Sequence, residues 1–221
     1  MTKHIKIAVL LSGSGTNLQR IIDDIENNTL KNCEICVVVS NKITAYGLMR
    51  AKKQKLITTY FPFLKEKEER SGYDKLLAFN VLSFNPDVVV LAGWTHILSD
   101  VFLQHFPHII NLHPALPGEF PGANAVEDAY KSSRKWYSKQ EGTNKKIYFK
   151  TGAMCHKVIE EIDAGEVLAT KSFSITPSES LEDVKKQMKI IEKDVLIKGL
   201  LIMMSQLRWN GCNGDGRNDY E

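Results

Sequence analysis

Near the middle of the 221-residue chain, Asn111 and His113 flank Leu112, and Pro114 fixes the turn that follows. Ile109 and Ile110 read as the end of a strand, so period-two geometry turns both polar side chains to the same side. A lone histidine in such a place is more often a structural residue than a catalytic one. What shifts the balance is Asp163, in Glu160-Glu161-Ile162-Asp163-Ala164-Gly165, a turn between two expected strands from which a carboxylate reaches His113. Pairing with a carboxylate favours the charged form of a histidine. The neighbouring asparagine amide is a neutral donor, and the two together suit stabilisation of an oxyanion. This is the equipment of acyl transfer without an enzyme nucleophile, since the chain has no Gly-x-Ser-x-Gly elbow and no cysteine evidently paired with a histidine. His105 and His108 lack helical i, i+4 spacing and a cysteine partner. They are expected on a surface turn, and no metal site is expected.

A second candidate is Ser12-Gly13-Ser14-Gly15-Thr16-Asn17, which joins an apolar strand to a helix. Backbone N–H groups at such a helix start hold a phosphate, and the glycines permit a sharp turn and close approach. Leu18 stands where a dinucleotide fingerprint has its third glycine, and Asn41-Lys42 rather than an acidic residue follows the second strand. The turn also lacks a Walker lysine. These absences weaken a nicotinamide-dependent oxidoreductase or a nucleoside triphosphate enzyme and leave a phosphate monoester.

The elements that must position these residues follow from hydrophobic periodicity. Ile5–Leu11 is a near-continuous apolar run, as in a parallel strand covered on both faces. Leu18, Ile21, Ile22 and Ile25 fall at helical spacing, with Thr16 or Asn17 as candidate cap. A strand over 36–40, a helix over 45–53, a strand over 57–60, a helix over 67–84 and a strand over 88–93 continue the alternation. It predicts an α/β fold with a doubly wound, mostly parallel sheet and right-handed crossovers. Ligands in such sheets bind beyond the carboxyl ends of the strands, which singles out the loops from Ser12, Asn41, Gly93 and Asn111. Beyond the breaker-rich run Pro114, Pro117, Gly118, Pro121 and Gly122, a helix is expected over 124–134. A basic insert over 131–150 is expected to be a surface excursion. Strands over 153–158 and 167–175 follow, then a helix over 181–206 capped by Ser178 or Ser180, and a tail with the composition of disorder.

Composition narrows the partners. The net charge is +3 from 29 basic and 26 acidic residues, too balanced for nucleic-acid binding across the surface. No run of 18 or more apolar residues suggests a membrane span, and no signal-peptide pattern precedes the first strand, so a cytoplasmic location is expected. Cys33-x-x-Cys36 lacks the second ligand pair of a zinc site and reads as two small apolar residues in a strand.

With these residues assembled, the chain closely resembles the phosphoribosylglycinamide formyltransferase family. The resemblance runs from about Ile5 to Leu200. It rests on Leu11-Ser12-Gly13-Ser14-Gly15-Thr16-Asn17-Leu18, Ser40-Asn41-Lys42 with Ala45-Tyr46-Gly47-Leu48, Pro86–Trp94, Asn111-Leu112-His113-Pro114-Ala115-Leu116 and Glu161-Ile162-Asp163-Ala164-Gly165. The run Leu112–Gly118 and the basic insert look like the fungal branch. The resemblance implies a Rossmann-like formyltransferase domain over 1–206, with a ribonucleotide half (1–110), a catalytic and folate half (111–206) and a flexible tail (207–221). It implies formyl transfer from 10-formyltetrahydrofolate, as co-substrate, to the amine of glycinamide ribonucleotide, between small molecules and without a metal. Asn111, His113 and Asp163 take the catalytic positions and His156 a supporting one. Gly15, Thr16, Asn17 and Glu192 would hold the ribonucleotide, and Arg70, Thr95, His96, Ile97, Leu98 and Asn111 the folate. Thr95-His96 departs from the family's usual methionine or valine followed by arginine, and a histidine cannot supply an arginine's fork of donors. Ala153-Met154-Cys155 is a second departure. Methionyl-tRNA formyltransferases share a similar trio but carry a second basic domain.

Overall fold

The computed structural model describes residues 3–63, 69–140 and 148–213. Its seven strands form one sheet, ordered β3-β2-β1-β4-β5-β6-β7. The strands are β1 (Ile5–Leu11), β2 (Cys33–Ser40), β3 (Thr58–Tyr60), β4 (Val88–Leu91), β5 (Ile109–His113), β6 (Phe149–Lys157) and β7 (Val167–Ile175). The first five are mutually parallel, whereas β6 runs antiparallel to β5 and β7 antiparallel to β6. Between β6 and β7 lies only a short turn, too short for the crossover that a parallel pair requires.

Alternation along β1 builds a core on each face. Ile5, Ile7, Val9 and Leu11 pack into one cluster with α1 (Thr16–Glu26), α2 (Tyr46–Lys53) and α6 (Leu181–Asn213). Ala8 and Leu10 join the other, with α3 (Arg70–Leu82) and the short α4 (Asp100–Leu103). In the pairing of β1 with β2, Ile7 faces Ile35 but Ala8 faces Val37, so Cys36 is the extra residue of a bulge. Cys33 lies in one core and Cys36 packs against the other, on opposite faces of the sheet. Burial pushes the Cys36 thiol up to about 11 and that of Cys155 to about 12, so neither is a ready thiolate.

Several expectations are corrected. No side chain caps α1: its N-cap is Gly15, in the left-handed conformation at φ 69°, so neither Thr16 nor Asn17 does that work. The helix expected from about Lys67 is described from Arg70, with 64–68 outside the described residues. α5 (Ala125–Ser138) runs into the basic stretch that composition marked as a loop. It is docked there, because Arg134 donates to the carbonyls of Pro177 and Thr176, and the Tyr137 hydroxyl to that of Ile175. Residues 141–147 of that insert lie outside the described residues. α6 is capped at Ser180, whose Oγ accepts from the Asp183 N–H while Asp183 Oδ2 accepts from the Ser180 N–H. The helix passes the expected end at 206 and continues to Asn213, and the tail beyond it is not among the described residues.

Strand order reverses between β1, whose next strand in sequence lies on one side, and β4, which flanks it on the other. Ligand crevices of open α/β sheets form at such a switch point. The loops leaving the two strands are tied together there: the Ser12 N–H donates to the Gly93 carbonyl, and Ser12 Oγ accepts from the N–H (3.0 Å) and hydroxyl (3.1 Å) of Thr95.

Candidate active site

On one side of the switch point lies the glycine turn. The first intrahelical bond of α1 runs from the Gln19 N–H to the Gly15 carbonyl, so the N–H groups of Thr16, Asn17 and Leu18 have no helical partner. Backbone approach explains both glycines. A Cβ on Gly15 would lie 2.4 Å from Gly47 Cα, and one on Gly47 would lie 2.6 Å from the Leu11 side chain. Gly47 N–H also donates to the Gly13 carbonyl, and Arg50 Nε to that of Ser14, which leaves the turn little freedom. Facing α1 from α6 is Glu192. Burial pushes its carboxyl above the ordinary range, and a hydrogen bond from the Asn17 side chain pulls part of the way back. Asn17 must donate its Nδ2 there, and its Oδ1 is buried without a partner.

On the other side is a cavity of about 380 Å³, lined among others by Trp94, Thr95, His96, Asn111, His113, His156 and Asp163. Thr95, His96, Ile97, Leu98 and Asn111, expected as folate contacts, all line it. Gly15, Thr16, Asn17, Glu192 and Arg70 do not line this cavity. Arg70 stands behind His96, its Nη1 3.1 Å from His96 Nδ1 and its Nε 3.2 Å from the buried Asp74 carboxylate. Burial first, and then the Arg70 charge, hold His96 below the ordinary histidine value, so its Nδ1 accepts from Arg70. The smaller side chain at position 96 thus does not replace an arginine at the cavity wall; it receives one from behind.

Asp163 is the hub of the site. Its Oδ2 lies 3.3 Å from His113 Nδ1 and accepts from the Gly122 N–H at 3.0 Å. Its Oδ1 lies 3.3 Å from Asn111 Nδ2 and 3.4 Å from His156 Nε2. Burial alone would raise this carboxyl, but the bonds from His156 and Gly122 and the facing His113 and His156 rings hold it below the usual carboxylate range. His113 differs from expectation. Burial lowers its value by more than Asp163 and the Phe120 carbonyl raise it, so the ring rests neutral at pH 7 rather than charged. Its Nε2 lies 3.0 Å from the Phe120 carbonyl, which can only accept, so the resting proton is on Nε2. Nδ1 then turns its lone pair toward Asp163. Protonation would satisfy acceptors on both nitrogens at once, so the ring is placed to take up a proton.

Two backbone outliers frame this ring. Phe120, at φ 44°, carries the carbonyl that meets Nε2, and Asp163, at φ 54°, carries the carboxylate that meets Nδ1. A phenylalanine in this region costs about 1–3 kcal/mol and persists only where its surroundings hold it. Neither Phe120 nor Gly122 was singled out for a role in the sequence. The glycine-rich run offered a turn signal, but nothing in it showed that a carbonyl would meet His113.

The family model described as formyl transferase matches residues 5–200. A phosphoribosylglycinamide formyltransferase of Dictyostelium discoideum is 42% identical over 213 residues, covering 90% of this chain and 98% of that one. The protein of the same name from Schizosaccharomyces pombe is 38% identical, covering 88% of this chain and 94% of its own. A crystal structure of glycinamide ribonucleotide transformylase 1 from Symbiobacterium toebii superposes with a TM-score of 0.80 at 27% identity, over 91% of this chain and 88% of that one. The chain belongs to the formyl transferase family, among the phosphoribosylglycinamide formyltransferases.

Proposed function

We propose that the two corners of the switch point hold two substrates, and that the chain transfers the formyl group of 10-formyltetrahydrofolate to the amine of glycinamide ribonucleotide in de novo purine synthesis. The observation that carries this reading is the Asp163 hub, four nitrogen atoms gathered on one carboxylate at the edge of a cavity, next to a helix start with free N–H groups. The N–H groups of Thr16, Asn17 and Leu18 suit the phosphate. Glu192 and the orphaned Asn17 Oδ1 are two acceptors for ribose hydroxyls. The cavity lined by Thr95, His96, Ile97 and Leu98 takes the folate, and Arg70 acts on it through His96.

In the reaction the amine nitrogen bonds to the formyl carbon and the carbonyl electron pair moves to oxygen. That oxygen is an acceptor, as is the Phe120 carbonyl, and His113 Nε2–H donates to it. The proton lost by the amine passes to the Asp163–His113 pair, where Nδ1 takes it, and the imidazolium faces the oxyanion at the moment of greatest charge. When the oxyanion collapses, the bond to the folate nitrogen breaks and the same proton goes to that nitrogen. Holding both substrates together contributes on the order of 7–11 kcal/mol through proximity. On this reading residues 1–206 work as one domain, in the cytoplasm, on small molecules. The test is an assay with glycinamide ribonucleotide and a 10-formyl folate, with methionyl-tRNA as the competing acceptor. Formylation of the ribonucleotide alone is expected; formylation of the tRNA, or of neither, would overturn the reading.

A further inference from the structure

Two side chains of β6 stand opposite the polar pair of β5: His156 opposite Asn111, and Met154 opposite His113. Residues directly opposite in an antiparallel pair share a face, with Cβ atoms about 4.5–5.5 Å apart. Met154 is 1% exposed and among the largest fully buried side chains, yet it belongs to neither of the two core clusters. Its neighbours Ala153 and Cys155 both sit in the core under the opposite face. A buried methionine outside both cores has its packing at the site. Across the sheet the row continues from Met154 to Thr170 on β7, which is exposed. His113 and Met154 are thus buried and Thr170 is not, so Met154 is the last buried side chain between the ring and the open β7 edge. The two nitrogens of His113 are turned to Asp163 and to the Phe120 carbonyl, contacts made in the ring plane that leave the ring faces to other neighbours.

We infer that Met154 is a positioning residue for His113, the apolar wall that separates the ring from solvent at the β7 edge and confines its proton exchange to Asp163 and the substrates. The inference rests on the reading of His113 as the group that receives the amine proton, and it names the side chain that keeps that proton from other exits. Water admitted on this side would hydrogen-bond an imidazolium and favour a charged resting ring. A methionine also suits a moving neighbour. It is unbranched with three rotatable bonds, so it keeps contact with a ring that changes partner from the Phe120 carbonyl to the oxyanion. The titratable groups that face the ring are Asp163 from the turn after β6 and His156 from β6, and the loop over 114–122 meets it with the backbone of Glu119 and Phe120. Met154 adds no charge to that set and acts by excluding water.

The test compares Met154→Leu, Met154→Val and Met154→Thr in the full-length enzyme. The His113 ring is titrated by NMR, and kcat/KM is followed against pH with glycinamide ribonucleotide and a 10-formyl folate. Valine and threonine are both β-branched and suit a strand, so they differ in essence by one hydroxyl. The His113 midpoint and the acid limb should stay within about 0.2 pH unit of wild type in Met154→Leu, which keeps the apolar wall. In Met154→Thr both should rise toward 6.5, by about half to one pH unit more than in Met154→Val, as the hydroxyl and water relieve the burial of the charged ring. A merely space-filling role would move valine and threonine alike. In the wild-type enzyme, which needs no substitution to fold, the Met154 methyl should show through-space NMR contacts to the His113 ring protons. Absence of those contacts, or one midpoint shared by Met154→Val and Met154→Thr, would overturn the inference alone. A midpoint that rises in Met154→Thr while the acid limb stays in place would support the wall and overturn the reading of His113.

Discussion

The two corners of the switch point are built in opposite ways. The glycine turn acts through main chain: its free donors are the first N–H groups of α1, and its shape is set by the approach of Gly15 to Gly47. The Asp163 hub acts through side chains from β5, from the turn after β6 and from β6 itself, together with one N–H and one carbonyl of the loop over 114–122. A turn made of backbone is rigid as soon as the fold forms and has no titrating group of its own; the carboxyl near it is Glu192, facing it from α6. A site made of paired ionisable groups depends on burial and can move a proton. On the function proposed above, binding falls to the first corner and chemistry to the second.

The sharpest break of that division is His113→Leu. Turnover should fall by about 10²–10⁴, the usual range for a positioned acid–base group, while ribonucleotide affinity measured by titration is unchanged. Equal losses in both would dissolve the contrast. The reverse case is Gly15→Ala. At φ 69° and 2.4 Å from Gly47 Cα, the added methyl brings strain and overlap. Stability should drop by about 2–4 kcal/mol, and ribonucleotide binding should weaken more than the rate of the bound complex, as thermal unfolding and single-turnover kinetics would show. An unchanged affinity would mean that the phosphate lies elsewhere.

A pH series tests the second corner without mutation. His113 must be neutral to receive a proton, and its value lies below the ordinary 6.5 because burial disfavours the charge. The acid limb of kcat/KM should therefore inflect below 6.5; an inflection above 6.5 would contradict a resting neutral ring. The same sign holds for stability: the fold loses whatever His113 burial costs as pH falls from 6.5 toward the lower folded value. The smallest effect is expected for Thr16→Ala. Its side chain makes no cap bond, so the change should cost less than about 0.5 kcal/mol, against about 1 kcal/mol for loss of a true cap. A larger loss would show that the turn works through the threonine side chain after all.

Legibility in the sequence followed the same divide. The turn is legible because its glycines, strand and helix are contiguous, but its cap is not, since Gly15 caps with backbone alone. Gly47 gave no local sign of its role, since the need for it arises from Leu11 and Gly15 in other elements. Asn111 and His113 at a strand end and Asp163 in a turn were legible as residue types, but the charge of His113 was not. Its pairing with Asp163 is visible in sequence terms, whereas its burial is a product of packing and outweighs the pairing. The antiparallel β6–β7 edge and the docking of Arg134 and Tyr137 were hidden for the same reason, because composition marks the basic stretch as polar without showing which carbonyls it meets.

Asp163→Asn tests the division most directly, since the substitution keeps the shape and removes the charge that His113, His156 and Gly122 share. Formyl transfer followed in a single turnover, with ribonucleotide affinity titrated on the same preparation, should show a rate lower by about 10²–10⁴ and an affinity within about twofold of wild type. Full turnover across neutral pH, or an affinity that falls with the rate, would contradict it.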